Sequence, residues 1–105
     1  MSGAIVRYLG IDTPEIDEPY YTEATAKNRE LVEGKVVELQ SGERDKDEYG
    51  RLLRYVYVNG VFVNAELIAQ GYAKAYIFDP NDPYSQVLVQ LEQYAKMRQR
   101  GLWGQ

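Results

Sequence analysis

The stretch Arg7-Tyr8-Leu9-Gly10-Ile11-Asp12-Thr13-Pro14-Glu15 decides how the rest of this chain is read. An apolar run over residues 4–9 carries one arginine in its middle and breaks at Gly10 into an acidic turn. Pro14 fixes its own φ and holds Thr13 extended, so Asp12 and Glu15 are presented from a stiff backbone. A cation and two carboxylates at a strand end are the ingredients of a metal and phosphate site. The same residue types also make an ordinary acidic loop, and the flanking sequence has to separate the two.

Residues 4–9 alternate Ile5, Arg7 and Leu9 on one face with Val6 and Tyr8 on the other, the period of a strand. After the turn, residues 22–32 suit a helix with Tyr21, Ala24, Asn28 and Leu31 on one stripe and Gly34 as its C-terminal cap. Residues 35–40 return to strand character. Residues 41–50 contain Glu43-Arg44-Asp45-Lys46-Asp47-Glu48 and read as a solvated loop. Residues 51–58, rich in Tyr, Val and Leu, form the clearest strand, and Asn59-Gly60 signals a hairpin returning over residues 61–63.

Asn64 is placed to cap a short helix over residues 65–70 that stops at Gly71. An apolar segment, residues 72–78, leads into the turn residues 79–83. Asp82 before Pro83 predicts an N-cap and a first helical residue, opening a last helix to about residue 100. Its stripe is Val87, Leu88, Leu91, Tyr94, Ala95 and Arg98. Gly101 ends it, and Leu102 and Trp103 offer apolar mass to pin the tail. Strands and helices mix without regular alternation and without repeats, which predicts an α+β fold with a small antiparallel sheet, one domain over residues 1–105.

Composition narrows the chemistry. With 12 Lys+Arg against 16 Asp+Glu the net charge is −4, so a polyanion has to be held by a local cluster rather than by the global field. The absence of histidine removes the commonest general base and transition-metal ligand, and the absence of cysteine removes thiolate sites and disulfides. Proton transfer falls to a carboxylate, and any metal is a hard, oxygen-liganded one such as calcium or magnesium. No stretch approaches the roughly 18 apolar residues of a membrane span, and the start lacks the basic and apolar regions of a signal peptide. Arg51, opening the clearest strand, is either a surface residue or the partner of Arg7 in a phosphate clamp, a task suited to the planar guanidinium fork.

Four segments in order resemble the staphylococcal nuclease (thermonuclease) family. They are Val6-Arg7-Tyr8-Leu9-Gly10-Ile11-Asp12-Thr13-Pro14-Glu15, Glu48-Tyr49-Gly50-Arg51, Val63-Asn64-Ala65-Glu66-Leu67-Ile68-Ala69-Gln70-Gly71-Tyr72-Ala73, and Gly101-Leu102-Trp103. The resemblance implies a mainly β, OB-fold barrel packed by three helices, and calcium-dependent (Ca2+) hydrolysis of phosphodiester bonds in DNA and RNA, single strands favoured. By position it implies that Arg7 and Arg51 bind the scissile phosphate and stabilise its developing charge, and that Glu15 acts on the attacking water. It also implies that Asp12 gives a carboxylate oxygen and Thr13 its backbone carbonyl to the metal, and that Tyr49 touches a terminal phosphate. Secretion is favoured by the same resemblance.

The departures shape a second expectation. Members of that family carry two strands, with a calcium-binding aspartate between them, ahead of the segment matching residues 4–9, so the resemblance implies a barrel incomplete at its N-terminal side. Glu48 stands where a lysine is often found. The expected outcomes are a nuclease, either active or, for want of those strands and that aspartate, inactive or weakened, and alternatively a non-catalytic nucleic-acid or protein-binding module using tyrosines such as Tyr55 and Tyr57 as stacking surfaces. An unpaired sheet edge near Val6 would also template a homodimer.

Overall fold

The computed structural model describes residues 5–77 and 80–104. Along them run β1 (Val6–Tyr8), β2 (Ile11–Asp12), α1 (Tyr21–Val32), β3 (Glu38–Lys46), β4 (Leu52–Val58), β5 (Val61–Phe62), α2 (Val63–Ala69), β6 (Lys74–Ala75), α3 (Ser85–Met97) and a final 3-10 turn, Gly101–Gly104. The apolar and aromatic strand β4 organises the sheet: β1 and β3 lie on either side of it, and β5 returns along it through a hairpin. That hairpin turns on Asn59 and Gly60, at φ 51° and 80°, the paired left-handed residues of a turn whose twist matches its strands.

Two expectations about the sheet are corrected. It is mixed, because β1 runs parallel to β4, with Val6, Arg7 and Tyr8 opposite Leu52, Leu53 and Arg54. The charged run is not a loop: β3 extends through Lys46, antiparallel to β4, with a register shift between Ser41 and Lys46. A strand paired on one side can turn charged side chains to water, so charge by itself does not break it. Arg54 Nη2 meets Asp45 Oδ1 at 2.7 Å and ties the two strands together.

The core lies where β4 meets α2 and α3, and comprises Ile11, Val56, Val58, Val63, Leu67, Ile68, Ala73 and Leu88. Helix α1 buries Ala24 and anchors to β1 through Asn28, whose Oδ1 accepts the Tyr8 hydroxyl at 2.9 Å. Helix α2 begins at Val63, so Asn64 is no N-cap; its side chain is fully buried and faces the sheet instead. Helix α3 begins at Ser85, later than expected, but Asp82 still organises its entry by accepting the N–H of Tyr84 on Oδ1 and of Ser85 on its carbonyl, both at 3.0 Å. Leu88 and Ala95 of the expected stripe are buried and Leu91 partly so, whereas Val87, Tyr94 and Arg98 point outward.

Of the apolar segment 72–78, only Lys74–Ala75 forms a strand, paired with β2, and Phe78 lies outside the described residues, as does Asp79 of the following turn. The tail is pinned where Leu102 N–H donates to the Gly71 carbonyl at 2.8 Å. A mixed sheet with three helices packed on it makes this an α+β, OB-like fold. No helix among the described residues is long and apolar enough to cross a membrane.

Candidate active site

The pairing of β1 with β4 sets the site. Arg7 lies opposite Leu53, and Leu52 N–H donates to the Ile5 carbonyl at 2.8 Å, which sets Arg51 next to Ile5. Side chains alternate along a strand, so Arg7 and Arg51 project from one face of the sheet on neighbouring strands, with Cα atoms about 8 Å apart by strand spacing and rise. Between β1, the turn after β2, the β3–β4 connection and the start of α3 opens a cleft of about 930 Å³. Arg7, Asp12, Thr13, Glu15, Tyr49 and Arg51, six residues named from the sequence, all line it.

The turn that carries the carboxylates is built by Gly10. Its φ of 77° is left-handed, and a Cβ there would strike the Leu88 side chain, so only glycine lets the chain bend this tightly over the core. The Gly10 carbonyl then accepts Tyr76 N–H at 2.9 Å, and β2 pairs with β6 so that Asp12 sits opposite Lys74. Beyond Pro14, Glu15 N–H donates to Glu18 Oε1 at 2.7 Å and the Glu15 carbonyl accepts Glu18 N–H at 2.8 Å. The turn is thus held through its own backbone groups, by main-chain partners and by the Glu18 carboxylate, while Asp12, Thr13 and Glu15 remain exposed.

The arginines are held differently. Arg7 Nη1 donates to the Tyr8 carbonyl at 2.8 Å, and the guanidinium has no acidic partner among the described residues. Arg51 Nε donates to Asp47 Oδ2 at 2.6 Å, and its guanidinium lies 5.7 Å from the centre of the Tyr49 ring. Burial pushes the Asp47 carboxyl up, but bonds from the backbone N–H and side chain of Arg51 and from Tyr49 N–H together hold it below the usual carboxylate range. Tyr49 is 78% exposed at the mouth of the cleft.

Several cleft residues escaped the sequence reading. Glu43 and Arg44 reach the rim because β3 continues through the charged run. Asp47 was legible in principle: an aspartate followed by Gly50 and a strand is the pattern of a side chain closing a turn on its own backbone. Asp82 enters from the N-terminal side of α3. The cleft thus holds six carboxylates, from Asp12, Glu15, Glu43, Asp47, Glu48 and Asp82, and three guanidinium groups, from Arg7, Arg44 and Arg51.

The expected stacking tyrosines are engaged by neighbours within the fold. Tyr55 is buried and hydrogen-bonded to Asp82, and Tyr57 stacks on Phe62 with ring centres 4.8 Å apart while its hydroxyl donates to Tyr84 at 2.9 Å. Tyr55 inside and the half-buried Tyr57 beside it join β4, β5 and the entry to α3.

The oxygen donors of Asp12 and Thr13 suit a hard cation in kind. No group of three or more His, Cys, Asp or Glu side chains able to hold a metal occurs among the described residues. Those donors would supply only part of the roughly 6–8 oxygens that a calcium ion takes.

The sheet of this OB-like domain presents two arginines, donors suited to phosphate oxygens, beside a stiff carboxylate turn whose oxygens suit a hard cation. The family model for staphylococcal nuclease homologues matches residues 5–105. The chain is 41% identical over 106 residues to the SPbeta prophage-derived endonuclease YokF of Bacillus subtilis (strain 168), covering 93% of this chain and 36% of that protein. It is 40% identical over 106 residues to endonuclease YncB of the same organism, covering 93% of this chain and 50% of that protein. To the thermonuclease of Staphylococcus intermedius it is 32% identical over 104 residues, covering 93% of this chain and 62% of that protein. The chain belongs to the staphylococcal nuclease homologue family, and it spans between about a third and under two-thirds of the length of these relatives.

Proposed function

We propose that this chain forms the phosphodiester-cleaving site of a calcium-dependent nuclease acting on DNA and RNA, with single strands preferred. The observation that carries the reading is the convergence of Arg7, Arg51, Asp12, Thr13, Glu15 and Tyr49 on one cleft from separate parts of the sequence. Arg7 and Arg51, side by side on one sheet face, bind the non-bridging oxygens of the scissile phosphate and stabilise the charge that builds there. Glu15, with an exposed carboxylate on a backbone fixed by Pro14 and Glu18, orients the attacking water and takes its proton. Tyr49 at the mouth contacts a neighbouring phosphate. Asp12 and the Thr13 carbonyl would hold calcium, which would supply Lewis-acid stabilisation of the charge developing on the phosphate.

The test is degradation of single-stranded DNA by the chain with added calcium. Cleavage is expected to stop in a chelator and to fall by about 100- to 1,000-fold in Glu15→Gln or Arg51→Lys. Absence of calcium-dependent product above the Glu15→Gln background overturns the reading, and binding that persists in chelator without turnover would assign the cleft to a non-catalytic module.

A second, separable reading concerns assembly. β1 ends the sheet order, with no strand beyond it among the described residues, so its free backbone groups are open to pairing with a second copy. A dimer in sedimentation equilibrium supports this, and a monomer at high concentration rejects it.

A further inference from the structure

The carboxylate of Asp47 is committed on both oxygens. Oδ1 accepts the backbone N–H of Tyr49 and of Arg51, each at 2.9 Å, and Oδ2 accepts the Arg51 side chain through Nε at 2.6 Å. The Asp47 side chain is 14% exposed against 39% for Arg51, so the acid is the covered partner. An exposed ion pair contributes little by itself, and closing a turn needs only the backbone bonds. Here one group fixes both the backbone and the side chain of the same arginine.

The consequence lies in which nitrogens remain. A guanidinium offers two forks, one through Nε and a terminal nitrogen and one through the two terminal nitrogens. With Nε engaged, the terminal pair is left, and it makes no hydrogen bond among the described residues. That end-on fork matches two oxygens of a phosphate. A carboxylate so close to the guanidinium also weakens its pull on an anion, so orientation and attraction oppose each other at this position.

We propose that Asp47 is a positioning residue for the phosphodiester chemistry, locking Arg51 so that its end-on fork serves the cleft and setting the Tyr49 backbone with the same carboxylate. The proposal rests on the nuclease reading of the cleft. It separates Asp47 from Asp45, which also pairs with an arginine, Arg54, at 2.7 Å on the same hairpin but does not line the cleft.

Asp47→Asn is the discriminating variant, because an amide Oδ1 still accepts the two backbone N–H groups while its NH2 cannot accept from Arg51 Nε. Removal of the negative charge is expected to leave KM unchanged or lower it, while loss of orientation lowers kcat about 10- to 100-fold, a split that general damage to the fold would not produce. Asp45→Asn is expected to stay within about twofold in both constants. In NMR spectra the Arg51 Nε–H resonance is expected to be resolved and protected in the unsubstituted chain and to collapse to solvent-exchanging behaviour in Asp47→Asn, while the Tyr49 and Arg51 amides keep their positions. Unchanged kcat, a rise in KM matching the fall in kcat/KM, or a persistent Nε–H resonance overturns the proposal. Should the unsubstituted chain cleave nothing, the nuclease reading fails, and titration with inorganic phosphate still decides the role of Asp47. Phosphate is then expected to shift the Arg51 side-chain resonances of the unsubstituted chain but not of Asp47→Asn, and equal shifts in both overturn it.

Discussion

Asn64 Oδ1 accepts the backbone N–H of Val56 at 2.8 Å from within α2, joining a helix to the central strand. Its Nδ2 donates to the Leu9 carbonyl at 2.8 Å, the residue before the Gly10 bend. One amide therefore ties together the helix, β4 and the strand end from which the acidic turn departs. Replacement by alanine leaves a buried donor, the Val56 N–H, and a part-buried acceptor, the Leu9 carbonyl, without this partner. Asn64→Ala is expected to cost about 2–4 kcal/mol in chemical denaturation, and a loss below about 0.5 kcal/mol would show that water or a neighbour substitutes for the amide.

Gly71 and Gly60 have almost the same backbone, φ 84° and 80°, but different surroundings. A Cβ on Gly60 meets nothing, whereas one on Gly71 would collide with the Arg100 carbonyl and the Gly101 backbone nitrogen. Gly60→Ala is expected to cost about 1 kcal/mol, the left-handed penalty for an L-residue. Gly71→Ala adds displacement of the tail, at least about 3 kcal/mol in all. The single tryptophan, Trp103, sits on that tail, so native-state fluorescence should shift to the red in Gly71→Ala alone.

The titration of Asp47 predicts an acid limb of stability. Its folded-state pKa is depressed, so its carboxylate contributes stability above the unfolded value near 4, and that contribution disappears as pH falls through the folded value. The Tm difference between the unsubstituted chain and Asp47→Asn is expected to be largest near neutral pH and to shrink below about pH 4. An equal difference at about pH 3 and at neutral pH would mean that shape, not charge, makes the contact.

Tyr57 predicts the opposite limb. Burial, then its bond to Tyr84 and the nearby charges of Tyr84 and Glu38, push its hydroxyl up to about 12. The unfolded chain releases this proton near pH 10, so the contribution is complete below that value and is lost as pH rises toward about 12. Phenolate absorbance should show a tyrosine ionising late, and Tyr57→Phe should flatten the alkaline decline in stability. A Tyr57 that titrates with the exposed tyrosines rejects this.

Arg7 differs from Arg51 in having no acidic partner among the described residues, only the Tyr8 carbonyl. Arg7→Lys is accordingly expected to unfold within about 0.5 kcal/mol of the unsubstituted chain while losing about 100-fold or more in cleavage rate. A matching loss of stability would assign Arg7 to the fold instead of the site.

Local chemistry was enough to place most elements. β4 declared itself by its aromatic and β-branched content, the hairpin by Asn59-Gly60, and α1 and α3 by their spacing, because each of these signals acts within a few residues. The stiff turn around Pro14 and the residue types of the cleft were equally legible, since proline geometry and the chemistry of arginine and carboxylate belong to the residues themselves. Misreadings arose where the deciding partner was remote. The charged run became a strand because β4 lay alongside to satisfy its backbone. Asn64 left the cap position because its buried amide pairs with backbone groups on β4 and just past the end of β1, and Tyr55 and Tyr57 pack against Phe62 and Tyr84, which meet them from other parts of the chain.

By itself, then, the sequence determined an α+β chain with two informative arginines and a carboxylate turn, without a thiol or an imidazole for chemistry. Tertiary structure decided that β1 runs parallel to β4, and with that register alone Arg7 and Arg51 come to share a face. Pairing register depends on backbone groups tens of residues apart, and no local propensity encodes which of them will meet.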